Sequence, residues 1–372
     1  MHIYCANPKE QYIRSQAEIE NAVLKVMRGG KYILGEEVQL LEKEFSDYIG
    51  VNNCIGVANG TDAIELILRG LNISFGDEVI TTSFTAVATV AAIEAAGAIP
   101  VLAEIDEYFG IDPQKLSDLI TDKTKAILVV HLYGQSVDLD AIIEICKKNN
   151  LKLIEDVSQA HGAMWNNLRL GSFGHAAAFS CYPTKNLGAL GDAGLVVTKS
   201  DELAKKIRMI REYGWAERYK SEIVGKNSRL DEIQAAILRI KLKHLDADND
   251  RRRKIAKIYD EYLSQFTGID NPKVRANARH VYHLYAVTVD HDKRDLIIEQ
   301  ARKNNIYFGI HYPAPVHLQQ AYKDRIKVAA CMDITENKSM RVISLPMYPE
   351  LSEDQINKVC NIIKNTHKQM KE

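Results

Sequence analysis

No run of about 20 apolar residues occurs anywhere in this 372-residue chain, so no segment of it reads as a membrane-crossing helix. The amino-terminal stretch MHIYCANPKEQYIR has no apolar core of the kind a signal peptide needs. A strong charge of either sign is also missing. Lys plus Arg number 48 against 49 Asp plus Glu, a net charge of −1, which removes the global electrostatic case for nucleic acid or an anionic membrane. The densest basic run, Arg251 to Lys254, lies in a helical stretch also rich in Asp and reads as a solvated helix face. None of the six cysteines forms a CxxC pair, and a chain of this length does not need disulfides as its main support. The pairs His280/His283 and His311/His317 lack a carboxylate or thiol at metal-site spacing, so no metal is expected. A cytoplasmic protein with reduced thiols is the expectation.

What is present is enough apolar sequence, 46% of residues, for a large core. From about residue 60 to 200, short apolar runs alternate with amphipathic segments. Strands are expected at Glu78–Thr82, Ile99–Glu104, Lys125–His131, Leu151–Glu155, Ala176–Ser180 and Leu195–Thr198, with helices at Thr85–Ala96 and Asp138–Asn149. Continuous apolar strands separated by helices are what a parallel sheet covered on both faces requires, and the class is α/β, doubly wound. A long helical stretch runs from Asp231 to about Phe266. After it come a strand at Leu284–Val289, a helix at Lys293–Asn304, a strand at Tyr307–Ile310 and a terminal helix at Glu353–Lys368. The expected division is a large domain over 1–245 and a smaller α+β domain over 246–372.

Ligands of doubly wound sheets collect at the carboxyl ends of the strands, and three polar clusters fall there. Asn59-Gly60-Thr61-Asp62 precedes an amphipathic helix whose free N–H groups could meet a phosphate. The same residues could be a plain helix cap. Asp156 follows the strand LKLIE, where a carboxylate can stabilise a cation or, taken alone, simply cap a loop or helix. Lys185 sits between a buried strand and a glycine-rich turn, in SCYPTKNLGALGDAG, a setting that can desolvate an amine until it attacks a carbonyl. Together these supply what pyridoxal 5′-phosphate (PLP) needs. Gly60, Thr61 and Ser180 would hold the phosphate, Asp156 would pair with the pyridinium nitrogen, and Lys185 would carry the Schiff base. Their order along the chain is that of fold-type I PLP enzymes.

The segments GGKYILGEEV, ANGTDAI, TSFTAVATV, EDVSQAHGA, FSCYPTKNLGALGDAG, REYGWAERY, KNSRLDEIQAA and HYPAPVHLQ, spread over nearly the whole chain, resemble the DegT/DnrJ family of nucleotide-sugar aminotransferases. That resemblance implies the aspartate aminotransferase fold, with Phe84 stacked on the cofactor ring and Gln159 beside the ring or its hydroxyl. It places Asn227 at the phosphate of a neighbouring subunit's site, hence a homodimer. It puts Tyr182, Tyr213, Tyr219, Tyr312 and His317 on the sugar-nucleotide side. The stretch YPTKNLGALGDAG resembles family members that aminate C3 of dTDP-3-keto-6-deoxyhexoses with L-glutamate as donor. The implied substrate is dTDP-3-dehydro-6-deoxy-D-glucose, giving the 3-amino-3,6-dideoxyglucose product. Many 4-aminotransferases of the family carry His where this chain has Tyr182, which leaves C4 amination as the alternative. Relatives that remove a hydroxyl typically replace the lysine by His, and Lys185 argues against that activity. A non-catalytic regulatory role is a further alternative, without a basic recognition helix to support it. Cys181 stands where relatives usually have Phe.

Overall fold

The computed structural model describes residues 2–369. Its centre is an eight-stranded sheet. In spatial order the strands are Asn53–Val57, Gly194–Thr198, Ala176–Ser180, Lys152–Asp156, Thr124–Val130, Glu78–Thr82, Ile99–Ala103 and the short Lys327–Val328. All neighbours are parallel except Gly194–Thr198, which runs antiparallel to both strands beside it. The sequence pattern suggested helices between all the strands, but the segment from Cys181 to Ala193 contains none. It therefore cannot make the crossover that a parallel neighbour demands, and the chain doubles back.

Side chains leave a strand alternately on its two faces, and the core divides accordingly. Ile127, Val129 and Leu153 join one buried cluster. Ala126, Leu128 and Ile154 join the other, with the helix Gly60–Gly70, whose Ile64, Ile67 and Leu68 are at most 1% exposed. Strands buried on both faces produce the continuous apolar runs that made them legible.

The helical stretch after Asp231 breaks into Glu232–Leu242 and Leu245–Leu263. A further core gathers Ile255, Tyr259, Tyr285, Val287, Ile297, Ile343 and Ile363 around a three-stranded antiparallel sheet, Ile269–Asp270, Tyr285–Val289 and Val342–Leu345. The strand expected at Tyr307–Ile310 is absent. Only an isolated bridge from Gly309 to Ser344 lies there, beside the strand Val342–Leu345. Two segments cross between cores: near the amino terminus Ile3 packs into this one, while the internal stretch with Lys327–Val328 extends the large sheet and Val316 packs against Val90 and Leu102. Among the described residues no helix is long and apolar enough to cross a membrane.

Candidate active site

A cavity of about 480 Å³ opens at the carboxyl ends of the parallel strands. Gly60, Thr61, Thr85, Thr89, Asp156, Gln159, Ser180, Tyr182 and Lys185 are among the residues that border it. One wall is the start of the helix Gly60–Gly70. Asn59 is extended (φ −165°, ψ 175°) and its side chain accepts from the Asp62 N–H at 2.8 Å, which fixes the first turn while leaving neighbouring N–H groups unclaimed. Gly60 lies so close to Ser180 that a Cβ there would sit 2.5 Å from the Ser180 Cβ. The serine hydroxyl and the positive end of a helix dipole are thus brought against one patch, the chemistry of an anion cradle.

Asp156 ends its strand and is 5% exposed. Its two oxygens are held separately: Oδ2 accepts from Thr89 Oγ1 at 3.0 Å and Oδ1 from the Ser158 N–H at 3.1 Å. Thr89 in turn meets Thr85, which lies just before the helix Val87–Ala95, at 3.0 Å. Lys185 is placed by the turn after Ala176–Ser180, its N–H donating to Tyr182 O at 2.8 Å. The side chain keeps some accessible surface along the cavity. Even so, burial drops its pKa from 10.5 to about 8 against the opposing pull of Asp156 and Cys181. Histidines nearby do not compete for charge. Burial, and then Lys185 itself, lower His161 to about 3 and His311 to about 4.

Gln159 is clamped at both ends: Oε1 accepts from the Tyr133 N–H at 3.0 Å, and Nε2 donates to Tyr312 Oη at 3.0 Å. Tyr133 Oη also donates to His311 O, so the loop carrying Tyr312 is docked at the cavity edge. Tyr182 borders the cavity and is 53% exposed.

Other expected site residues stand apart. Phe84 is fully buried against Phe109 and Tyr312, with ring centroids at 5.5 and 6.5 Å, and does not border the cavity, whereas Ala86 and Ala88 do. Phe84 follows the strand Glu78–Thr82, and its ring joins the buried cluster that contains Ile64, Ile67 and Ile154. His317 lines a different groove, its Nδ1 2.6 Å from Ser83 Oγ and its Nε2 3.1 Å from Glu336. Tyr213 and Tyr219 form an exposed cluster with Trp215, and Asn227 is exposed outside the cavity. Thr89, Ser158 and Tyr133 were not singled out from sequence. A second threonine four residues after Thr85, at the start of an apolar helix, was the available signal for the first of them.

A mostly parallel sheet with a buried amine, a braced carboxylate and an anion cradle at its strand ends defines a fold-type I transferase. The chain belongs to the DegT/DnrJ/EryC1/StrS aminotransferase family, whose sequence profile matches residues 14–364. It is 47% identical over 352 residues to the dTDP-3-amino-3,6-dideoxy-alpha-D-galactopyranose transaminase of Aneurinibacillus thermoaerophilus, covering 94% of this chain and 96% of that one. It is 41% identical over 357 residues to the dTDP-3-amino-3,4,6-trideoxy-alpha-D-glucose transaminase of Streptomyces venezuelae, covering 96% and 94%. Among solved structures, S. venezuelae DesV in complex with a ketimine intermediate superposes with a TM-score of 0.95 at 40% identity, over 98% of both chains.

Proposed function

We propose that the chain is a PLP-dependent aminotransferase that moves an amino group from L-glutamate to C3 of a dTDP-3-keto-6-deoxyhexose. The observation that carries this reading is Lys185, an amine held near a pKa of 8 at the edge of a cavity that also presents Asp156 and the Gly60–Thr61 cradle. The residues fit the cofactor. The cradle beside Ser180 suits a phosphate, the fixed carboxylate of Asp156 suits a pyridinium nitrogen, and the Lys185 amine suits an aldehyde carbon. Bound there, PLP supplies an electron sink for the carbon that gains or loses the amino group.

The protein residues have three tasks. Lys185 Nζ, with an appreciable free-base fraction at neutral pH, acts as the nucleophile and, when released, takes a proton from one carbon and returns it to another. Asp156, locked by Thr89 and Ser158, would hold its carboxylate toward the ring nitrogen. Gln159, fixed by Tyr133 and Tyr312, sets the face of the ring against which the substrate is placed.

C3 rather than C4 amination is supported by the YPTKNLGALGDAG turn and by the two relatives, both named for 3-amino sugars. The relative in A. thermoaerophilus is named for the galacto product, so the gluco configuration we favour is tested beside its C4 epimer. The remaining parts of the proposal are a homodimer in which Asn227 completes the neighbour's phosphate site, a chain divided near residue 245, and a cytoplasmic location.

The purified protein is expected to be yellow, to bleach on addition of glutamate, and to regain colour with a 3-keto but not a 4-keto nucleotide sugar. A protein that stays colourless when supplied with PLP removes the proposal.

A further inference from the structure

The residue proposed to reach the neighbouring subunit, Asn227, is anchored on both sides to its own subunit's phosphate cradle. On one side Lys226 Nζ donates to Asp62 Oδ1 at 2.9 Å and to Glu65 Oε2 at 2.7 Å. Asp62 borders the cavity, and both carboxylates lie in the first turns of the helix Gly60–Gly70. On the other side the Ala58 N–H donates to Ser228 Oγ at 3.2 Å, and Ser228 is fully buried. A third tie comes from Arg69 of the same helix, which pairs with Glu65 at 3.2 Å and donates to Val224 O at 2.9 Å. The backbone leaves little slack between these anchors: the Lys226 N–H donates to Ile210 O at 2.8 Å, and Asn227 bridges to Glu212. Between them Asn227 itself is exposed.

We propose that Lys226 and Ser228 are positioning residues that tie the Asn227 a subunit offers to its partner's site to that subunit's own phosphate cradle. This deepens the reading above and rests on its assignment of Asn227 to the partner's site. The physical basis is that Asp62 and Glu65 hold Lys226 on one side while the Ala58 N–H holds Ser228 on the other, so Asn227 is presented in one place. A side chain whose backbone is fixed beforehand gives up less freedom on meeting the partner's phosphate.

Hybrid dimers separate this idea from its foundation. In each hybrid the first subunit carries Lys185→Ala, so the Lys185-linked visible absorbance during PLP titration reports only the wild-type second subunit. The Asn227 serving that site comes from the first subunit. Adding Lys226→Met, or independently Ser228→Ala, to the first subunit is expected to weaken PLP binding in the second about tenfold. Lys226→Arg should retain most of the affinity, and the sedimentation mass should not change. If Asn227→Ala in the first subunit weakens binding while Lys226→Met and Ser228→Ala leave it unchanged, the positioning role is wrong and the dimer reading stands. If Asn227→Ala is also silent, the assignment of Asn227 fails and takes the positioning role with it.

Discussion

Lys185 shows how a reactive group costs a protein stability. An amine whose pKa falls from 10.5 to about 8 on folding is disfavoured wherever the unfolded chain would keep it charged. The penalty is fully present below pH 8, shrinks as pH rises from 8 to 10.5, and is gone above that. Lys185→Met should therefore stabilise the cofactor-free protein at pH 7 by on the order of 1–2 kcal/mol, a figure reduced for the side chain's accessible part. Urea unfolding of the two proteins should converge by about pH 10.5 if the group follows this titration. An unchanged midpoint at pH 7 would mean that the amine is solvated and not primed. Phe84 supports the converse test. Its ring belongs to the core, so Phe84→Leu should cost about 1 kcal/mol of stability while leaving cofactor affinity within a factor of about two. A large loss of affinity with unchanged stability would place Phe84 at the cofactor.

At the scale of elements, the start of the helix Gly60–Gly70 carries two roles that can be measured apart. Asn59→Ala removes the acceptor for the Asp62 N–H and should cost about 1 kcal/mol of stability. Gly60→Ala forces a Cβ to 2.5 Å from the Ser180 Cβ and 2.9 Å from its Cα, so it should cost about 1–3 kcal/mol of stability and, by displacing Ser180, weaken phosphate binding as well, which Asn59→Ala should not. Calorimetry of the cofactor-free protein and PLP titration would distinguish them, and equal effects of both variants on both readouts would defeat the division. Asp156, Lys185 and Gly60 were legible in sequence for a shared reason: each follows or precedes a short apolar run, and a doubly wound sheet delivers such positions to one rim. Direction was not legible, because Gly194–Thr198 is as apolar as its parallel neighbours and only the helix-free connection from Cys181 to Ala193 betrays its reversal. Nor was the fate of Tyr307–Ile310, which meets the small sheet only through the bridge from Gly309 to Ser344. His317 likewise depends on Ser83 and Glu336, which are 234 and 19 residues away in sequence, and no local pattern announces such partners.

For the whole molecule, the helix Gln16–Gly29 bears on assembly. It buries Ile19 and Val26 on one face, seven residues apart as two helical turns require. Leu24 and Met27, three apart and therefore neighbours on another face, are 41% and 54% exposed. Beyond the helix, Tyr32 and Ile33 are 53% and 43% exposed. A polar surface helix does not need a second apolar face, whereas a helix at an interface does. The proposed homodimer gives that face a use, and it ties assembly to chemistry because each site then lacks Asn227 until the partner arrives. Placing a charge there, with Leu24→Glu and Met27→Glu together, should dissociate the dimer at micromolar concentration by desolvating carboxylates in the contact. Because anything that binds only the assembled form stabilises it by mass action, saturating PLP should shift the variant back towards dimer, and PLP affinity should rise with protein concentration. Sedimentation with and without PLP reads both effects. A variant that stays dimeric would place the contact elsewhere, and a monomeric variant that binds PLP as tightly as the wild type would show that each subunit's cradle is complete by itself.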